Sequence, residues 1–321
     1  MVNEGAQTGS APAAESGARV RIGIDLGGSK IEATALDADG GVRLRLRLPT
    51  PQDDYAATIE AIAGLVAGLE AELATTGSVG IGIPGTVSPG SGLVKNANST
   101  WLIGHPLDRD LAERLGRPVR VANDADCFAL SEAADGAGAG AASVFGVILG
   151  TGVGGGIVIG GRLLAGANAI AGEWGHNPLP WPEDGERPGP PCYCGKAGCI
   201  ETFLSGPAMT RDHEAATGEP LPPSAIAARA KAGDAAADAT LARYEDRLAR
   251  ALASVINVID PEIVVLGGGV SNLARLVENV PRRWGAYVFS DRVETRLAAA
   301  RHGDSSGVRG AAWLWPEEDG A

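Results

Sequence analysis

Aromatic residues are scarce in this 321-residue chain, at 4%, so its 45% of apolar residues must build a core mainly from aliphatic side chains. Positive charge is short as well: 27 Lys and Arg face 39 Asp and Glu, a net charge of −12. A chain this acidic repels phosphate backbones and anionic lipid, so neither nucleic acid nor a membrane is expected as a partner. No stretch reaches the ~18 apolar residues needed to span a bilayer. Residues 1–18 show no periodicity and no apolar signal-peptide region, and are expected to form a disordered tail on a cytoplasmic protein. Cysteine is limited to four residues. In a reducing compartment these call for a metal, a catalytic role or plain core packing before a disulfide. A Walker A loop is absent, and no H-R-D or D-F-G motif marks a protein kinase.

Glycine, by contrast, is abundant, with 47 residues clustered beside apolar strands. Val20 to Asp25 reads as a strand that turns at Gly27-Gly28-Ser29-Lys30 and returns over Ile31 to Leu36. Val42, Leu44, Leu46 and Leu48 alternate with arginines, which is a strand with one buried face. Ile59, Ile62, Val66, Leu69 and Leu73 follow helical spacing. Strands are expected over 79–83 and 119–122. A second round begins near Ser143, with a strand over 144–149, the run Gly150 to Gly156, and a strand resuming at Ile157. A long amphipathic helix follows over 241–259, then a strand over 263–266 that runs into Gly267-Gly268-Gly269, and a closing helix over 307–315. The Pro- and Gly-rich stretches 182–190 and 217–223 read as surface loops. The length predicts two domains, here 19–122 plus 303–321 for the smaller and 123–302 for the larger.

Three glycine loops at strand ends suit a phosphate, which needs many N–H donors at close range. Gly150, Gly152 and Gly155 match the dinucleotide fingerprint, but that fingerprint must open a helix, and a strand follows here. The segment Asp25 to Lys30, taken with the two later loops, resembles the phosphate and adenosine motifs of the actin, Hsp70 and hexokinase superfamily. The resemblance implies an α/β chain with an actin-like ATPase (ribonuclease H-like) fold, two α/β domains with a cleft between them closing over ATP. It implies that Asp25, Gly27, Gly28, Ser29 and Lys30 meet the ATP phosphates and help place Mg²⁺. Gly150, Thr151, Gly152 and Gly154 would form a second phosphate loop, and Gly267, Gly268 and Gly269 would line the adenosine.

Cys192, Cys194 and Cys199 form C-x-C-x4-C, and His176 precedes them. Three thiolates and one imidazole satisfy a tetrahedral Zn²⁺; a reduced cluster or an adventitious disulfide is the alternative. Cys127, at a predicted helix start, reads as a core residue. The segment Gly175-His176 through Cys192-Tyr193-Cys194-Gly195-Lys196-Ala197-Gly198-Cys199-Ile200-Glu201 resembles the signature of the ROK family, which groups sugar kinases and repressors. In that family the zinc is structural. The repressors carry an added helix-turn-helix, for which the short stretch before Asp25 leaves no room, so a sugar-sensing regulator without catalysis is the lesser expectation.

Phosphoryl transfer to a sugar hydroxyl needs a group that accepts its proton. Asn123-Asp124-Ala125-Asp126 lies where a strand ends and a helix begins, and either Asp could serve there as acceptor or merely as helix cap. The family resemblance assigns Asp124 as general base and leaves Asp126 as the cap. It also implies that Gly85, Asn98, Asn123, Glu173, His176 and Glu201 line the sugar, with one ring nitrogen of His176 on zinc and the other on substrate. For Glu173 and Glu201 a solvated charge is the plain alternative. Residues 94–102, 172–181 and 302–310 resemble bacterial fructokinases of the mannofructokinase type. The expected reaction is therefore ATP-dependent phosphorylation of D-fructose at its 6-hydroxyl, with N-acetylglucosamine kinase and glucokinase as alternatives. A homodimer is expected from the family.

Overall fold

Two five-stranded sheets of the same design organise the chain, and the computed structural model describes residues 20–315. The expected tail over 1–18 lies outside the described residues. The first sheet contains β1 (Val20–Leu26), β2 (Lys30–Leu36), β3 (Val42–Pro49), β4 (Gly77–Ile83) and β7 (Val119–Asn123), in the order β3-β2-β1-β4-β7. A short hairpin, β5 (Thr86–Val87) with β6 (Val94–Lys95), stands apart from it. The second sheet contains β8 (Ser143–Leu149), β9 (Val153–Ile159), β10 (Arg162–Leu163), β11 (Ile263–Gly267) and β12 (Arg296–Ala299), in the order β10-β9-β8-β11-β12. In each, three antiparallel strands are followed by two parallel ones. This duplicated arrangement is the ribonuclease H-like, actin-type fold. Ten helices cover the sheets among the described residues: α1 (Tyr55–Leu73), α2 (Leu107–Leu115), α3 (Asp124–Ala134), α4 (Glu201–Leu204), α5 (Gly206–Thr217), α6 (Pro223–Lys231), α7 (Ala235–Ile259), α8 (Arg275–Asn279), α9 (Pro281–Trp284) and α10 (Ser306–Ala312). None is long and apolar enough to cross a membrane.

Sequence pattern explains the placement of these strands. β1 and β4 are buried almost throughout, as central strands covered on both faces must be. β3 sits at the edge, with Leu44, Leu46 and Leu48 packed inward while Arg45 and Arg47 reach Glu32 at 3.3 and 2.7 Å. The C-terminal helix α10 returns to this first sheet and lies directly on it. A Cβ at Gly23 would stand 2.0 Å from the Val308 carbonyl oxygen, and one at Gly80 would stand 1.9 Å from that of Ala311, so only glycine permits the contact. α10 also crosses α3, which packs on β8 and β9, so the two helices join the sheets. Cys127 is fully buried at that crossing, the core position its sequence context suggests. The buried Glu132 carboxylate fixes the returning chain: it accepts from the Arg301 and His302 amides at 3.0 and 3.2 Å and from the Ser306 hydroxyl at 2.9 Å.

Two expectations need correction, the start of β9 and the end of the closing helix, and one needs refinement. β9 begins at Val153 and not at Ile157, so Gly154, Gly155 and Gly156 are strand residues paired with Ile148, Val147 and Gly146. They are small because their neighbours are close: a Cβ at Gly156 would meet the Ala125 carbonyl oxygen at 2.6 Å. The segment 182–190 is the surface loop expected, but it is pinned at Glu186, which is buried and bound by Arg247 and Arg250. The closing helix stops at Ala312 and does not reach residue 315.

Candidate active site

Two cavities meet at Gly150 and Thr151, which border both. The first, of about 290 Å³, is bordered by Gly85, Asn98, Asn123, Asp124, Glu173, His176 and Glu201, every residue expected on the sugar side. Gly152 and Gly154 also border it. The second, of about 750 Å³, lies between the start of α5 at Gly206 and Pro207, the start of α6 at Pro223, and Gly269 with Val270 after β11.

β7 delivers the acidic pair. Asn123 caps α3, its Oδ1 accepting from the Ala125 amide at 2.9 Å while its Nδ2 donates to the Gly85 carbonyl at 3.2 Å. The cap is therefore Asn123, and the expectation that Asp126 fills that role is wrong. Asp124 Oδ1 accepts from the same Ala125 amide at 2.8 Å, which turns its carboxylate toward the cavity. Asp124 is reachable from the cleft, yet the walls around it exclude enough water to raise its carboxyl, and the charge of Glu173 adds to the effect against the lowering pull of the Ala125 and Asn123 hydrogen bonds. Burial, Glu173 and Asp124 likewise push Asp126 up to about 7, and its Oδ1 is buried without a partner.

The Asp25 turn stands apart from both cavities: none of Asp25, Gly27, Gly28, Ser29 and Lys30 is among their bordering residues. The turn is closed by the Gly27 amide on the Lys30 carbonyl at 3.0 Å, and Thr50 and Gln52 donate to the Gly27 and Gly28 carbonyls. Asp25 is coupled to the site by charge, since burial and then Asp124 and Glu32 raise its carboxyl to about 6, opposed by Lys30. Asp25 and Asp124 are hard-oxygen groups of the kind Mg²⁺ takes, and a cation near them would relieve their repulsion. In the third glycine run Gly269 borders the second cavity. Gly267 is small because the Phe128 ring would lie 2.3 Å from a Cβ there, and Gly268 holds φ +82° against the Leu149 carbonyl.

The cysteine cluster adjoins the sugar-side cavity through His176, which borders it. One donor atom each from His176, Cys192, Cys194 and Cys199 lies within 4.8 Å of the others. Cys192 Sγ stands 3.5 Å from His176 Nδ1 and Cys194 Sγ 3.6 Å from Cys199 Sγ, near the ~3.7 Å edges of a tetrahedron built on metal–sulfur bonds of about 2.3 Å. Burial and the neighbouring sulfurs push the Cys199 thiol up to about 12, whereas a hydrogen bond from the Lys196 backbone and the neighbouring sulfurs draw the Cys194 thiol down. The donor set fits Zn²⁺. Nε2 of His176 pairs with the Tyr193 hydroxyl at 2.9 Å, and both residues border the cavity.

Sequence reasoning missed Asn96, Tyr193 and the Gly206-Pro207 start of α5. Tyr193 lies inside the cysteine motif and Asn96 two residues before Asn98, so neighbourhood was their only signal. Asn96 borders the cavity from a left-handed turn at φ +56°. Gly206 and Pro207 carried a helix-start signal after Ser205, but nothing local shows that this start meets Gly150.

A polar cavity holding a raised carboxyl, joined through a glycine turn to a second cavity across a duplicated ribonuclease H-like fold, is the layout of an actin-like sugar kinase. The chain belongs to the ROK family, whose model matches residues 21–318. It is 43% identical to an N-acetyl-D-glucosamine kinase of Vibrio cholerae over 91% of this chain and 98% of that protein. It is 40% identical to an N-acetyl-D-glucosamine kinase of Escherichia coli O157:H7 over 91% and 98%. Among solved structures, the ROK hexokinase from Thermus thermophilus superposes with a TM-score of 0.81 at 33% identity, covering 92% of this chain and 97% of that one. A ROK family glucokinase from Streptomyces griseus in complex with glucose and AMPPNP gives 0.73 at 30%, covering 92% and 98%.

Proposed function

We propose that this protein transfers the γ-phosphoryl group of ATP to the 6-hydroxyl of N-acetyl-D-glucosamine. Similarity over nine-tenths of the chain to kinases named for that sugar supports this substrate over the fructose expected from sequence. The observation that carries the kinase reading is the placement of Asp124, a carboxylate facing a cavity rich in amide and acid groups that adjoins the glycine turn at Gly150–Thr151. In this reading the sugar occupies the smaller cavity and the nucleotide the larger. The two lobes, 20–122 with 303–315 and 123–302 among the described residues, close over both and exclude water that would otherwise take the phosphoryl group. Asp124 takes the proton from the attacking hydroxyl, as a carboxylate can when its pKa has been drawn toward neutrality. Asn98, Asn123, Glu173 and Glu201 orient the sugar, and the main-chain amides of the Gly150 turn hold the phosphates. Asp25 would help hold Mg²⁺, which would supply positive charge to offset that of the phosphates. His176, Cys192, Cys194 and Cys199 would hold a structural Zn²⁺ and so fix the loop that ends in Glu201.

The test is an ADP-release assay with N-acetyl-D-glucosamine, glucose, mannose and fructose. The highest kcat/KM is expected with N-acetyl-D-glucosamine. A preference for another sugar would replace the substrate, and tight sugar binding without turnover on any would replace the kinase by a sugar sensor.

A further inference from the structure

Glu201 borders the sugar-side cavity, but its carboxylate is not spent there alone. Its Oε2 accepts from the Val153 main-chain amide at 2.9 Å, across 48 residues of chain. The same oxygen lies against Gly152, where a Cβ would approach it to 2.5 Å, so residue 152 must be glycine for the contact to form. Gly152 and Val153 complete the turn between β8 and β9 that begins at Gly150 and Thr151, the two residues bordering both cavities. The far side of that turn is tied in its own right, since the Gly206 amide donates to the Gly150 carbonyl at 2.7 Å at the start of α5. The turn is thus held at both ends, by α5 on the nucleotide side and by one carboxylate on the sugar side.

We infer that Glu201 is a positioning residue for the nucleotide: by holding the Val153 amide it fixes the Gly150–Val153 turn in its phosphate-binding shape, in addition to any contact with sugar. A side chain carried on the helix that follows Cys199 therefore sets nucleotide affinity across the cleft. This rests on the kinase reading above, and the experiment separates the two.

Binding of AMPPNP with Mg²⁺ is measured by calorimetry without sugar, for the full-length protein and for Glu201→Asp and Glu201→Gln. Asp keeps the charge but is one methylene too short to reach Val153. Gln loses the charge but keeps a carbonyl oxygen that can accept the amide. Loss of one charge-assisted hydrogen bond predicts about tenfold weaker AMPPNP binding for Glu201→Asp. Glu201→Gln should stay within about threefold of wild type for AMPPNP while its sugar KM rises. Asn98→Ala, which borders the sugar without touching the turn, should raise sugar KM and leave AMPPNP binding unchanged. Equal AMPPNP affinity in all variants, or loss in Gln with retention in Asp, overturns the inference and leaves the kinase reading standing. Failure of the wild type to bind AMPPNP sinks both.

Discussion

Arg250 and Glu186 form a doubly hydrogen-bonded ion pair inside the larger lobe, at 2.8 and 2.9 Å, with almost no side-chain exposure on either partner. Arg247 adds a contact at 2.7 Å and itself bonds Asp212 at 2.7 Å, which ties the 182–190 segment to α7 and α5. Burial alone would raise the Glu186 carboxyl, but the Arg250 and Arg247 hydrogen bonds outweigh it and bring it down to about 2. A carboxyl depressed in the folded state stabilises the fold above its ordinary value near 4.5 and loses that contribution as pH falls toward 2. Glu186→Ala leaves Arg250 to Asp246 and the Trp181 carbonyl and Arg247 to Asp212, and a loss of about 1–3 kcal/mol is expected in urea unfolding at pH 7. The gap between variant and wild type should narrow at pH 3; a gap independent of pH would show that packing, and not charge, holds the segment.

That pair also marks where sequence reading ran out. The repeated strand–glycine–strand layout, the cysteine spacing and the N-D-A-D step made the duplicated fold and most of the sugar-side cavity legible, because each is a local pattern. Glu186 carried no such pattern: its partners are 61 and 64 residues away, and the Pro-rich stretch around it reads as loop. The glycines are legible only in part. Gly155 borders the sugar-side cavity, yet it is also small because Trp174 presses on it, as Phe128 does on Gly267 and α3 on Gly156. Sequence shows that a residue lacks a side chain, not which neighbour requires it.

The helix crossing that joins the lobes gives a contrasting pair of glycine substitutions. A Cβ on Gly310 would lie 1.6 Å from the Cys127 carbonyl oxygen, a backbone atom that cannot rotate away. Gly310→Ala must separate α10 from α3, and a loss of about 3 kcal/mol or more is expected, the upper range for overpacking. Gly64, on the exposed face of α1, has nothing within 4 Å of a notional Cβ. There Gly→Ala should stabilise by roughly 0.5–1 kcal/mol, because helix propensity and unfolded-state entropy both favour alanine. Thermal melts of the two variants should move in opposite directions. A rise for Gly310→Ala would show that the helices can part at no cost.

Metal removal should act on sugar before nucleotide. One Zn²⁺ per chain is expected by elemental analysis, and Cys194→Ser should lower that content and the melting temperature together. His176 and Tyr193 would then lose the anchor that sets their contact beside the cavity, so sugar KM should rise well beyond any change in kcat. Wild-type protein free of zinc but fully active would remove the metal from the account.

The pH dependence of turnover tests Asp124 itself. A general base must be ionised, so kcat should fall as acid protonates it. Burial and then Glu173 raise its carboxyl, so the acidic limb should lie above the ordinary carboxylate range near 4. Glu173→Gln removes a negative charge that opposes ionisation, and the limb should therefore move to lower pH even as sugar KM worsens. Asp124→Asn should lower kcat by about 10²–10⁴ while AMPPNP still binds. An acidic limb that stays fixed in Glu173→Gln would exclude both carboxyls, since Glu173 raises each, whereas turnover retained in Asp124→Asn would pass the role to Asp126. That is the other raised carboxyl of the helix, and its buried, unpartnered oxygen makes it the next group able to hold a proton.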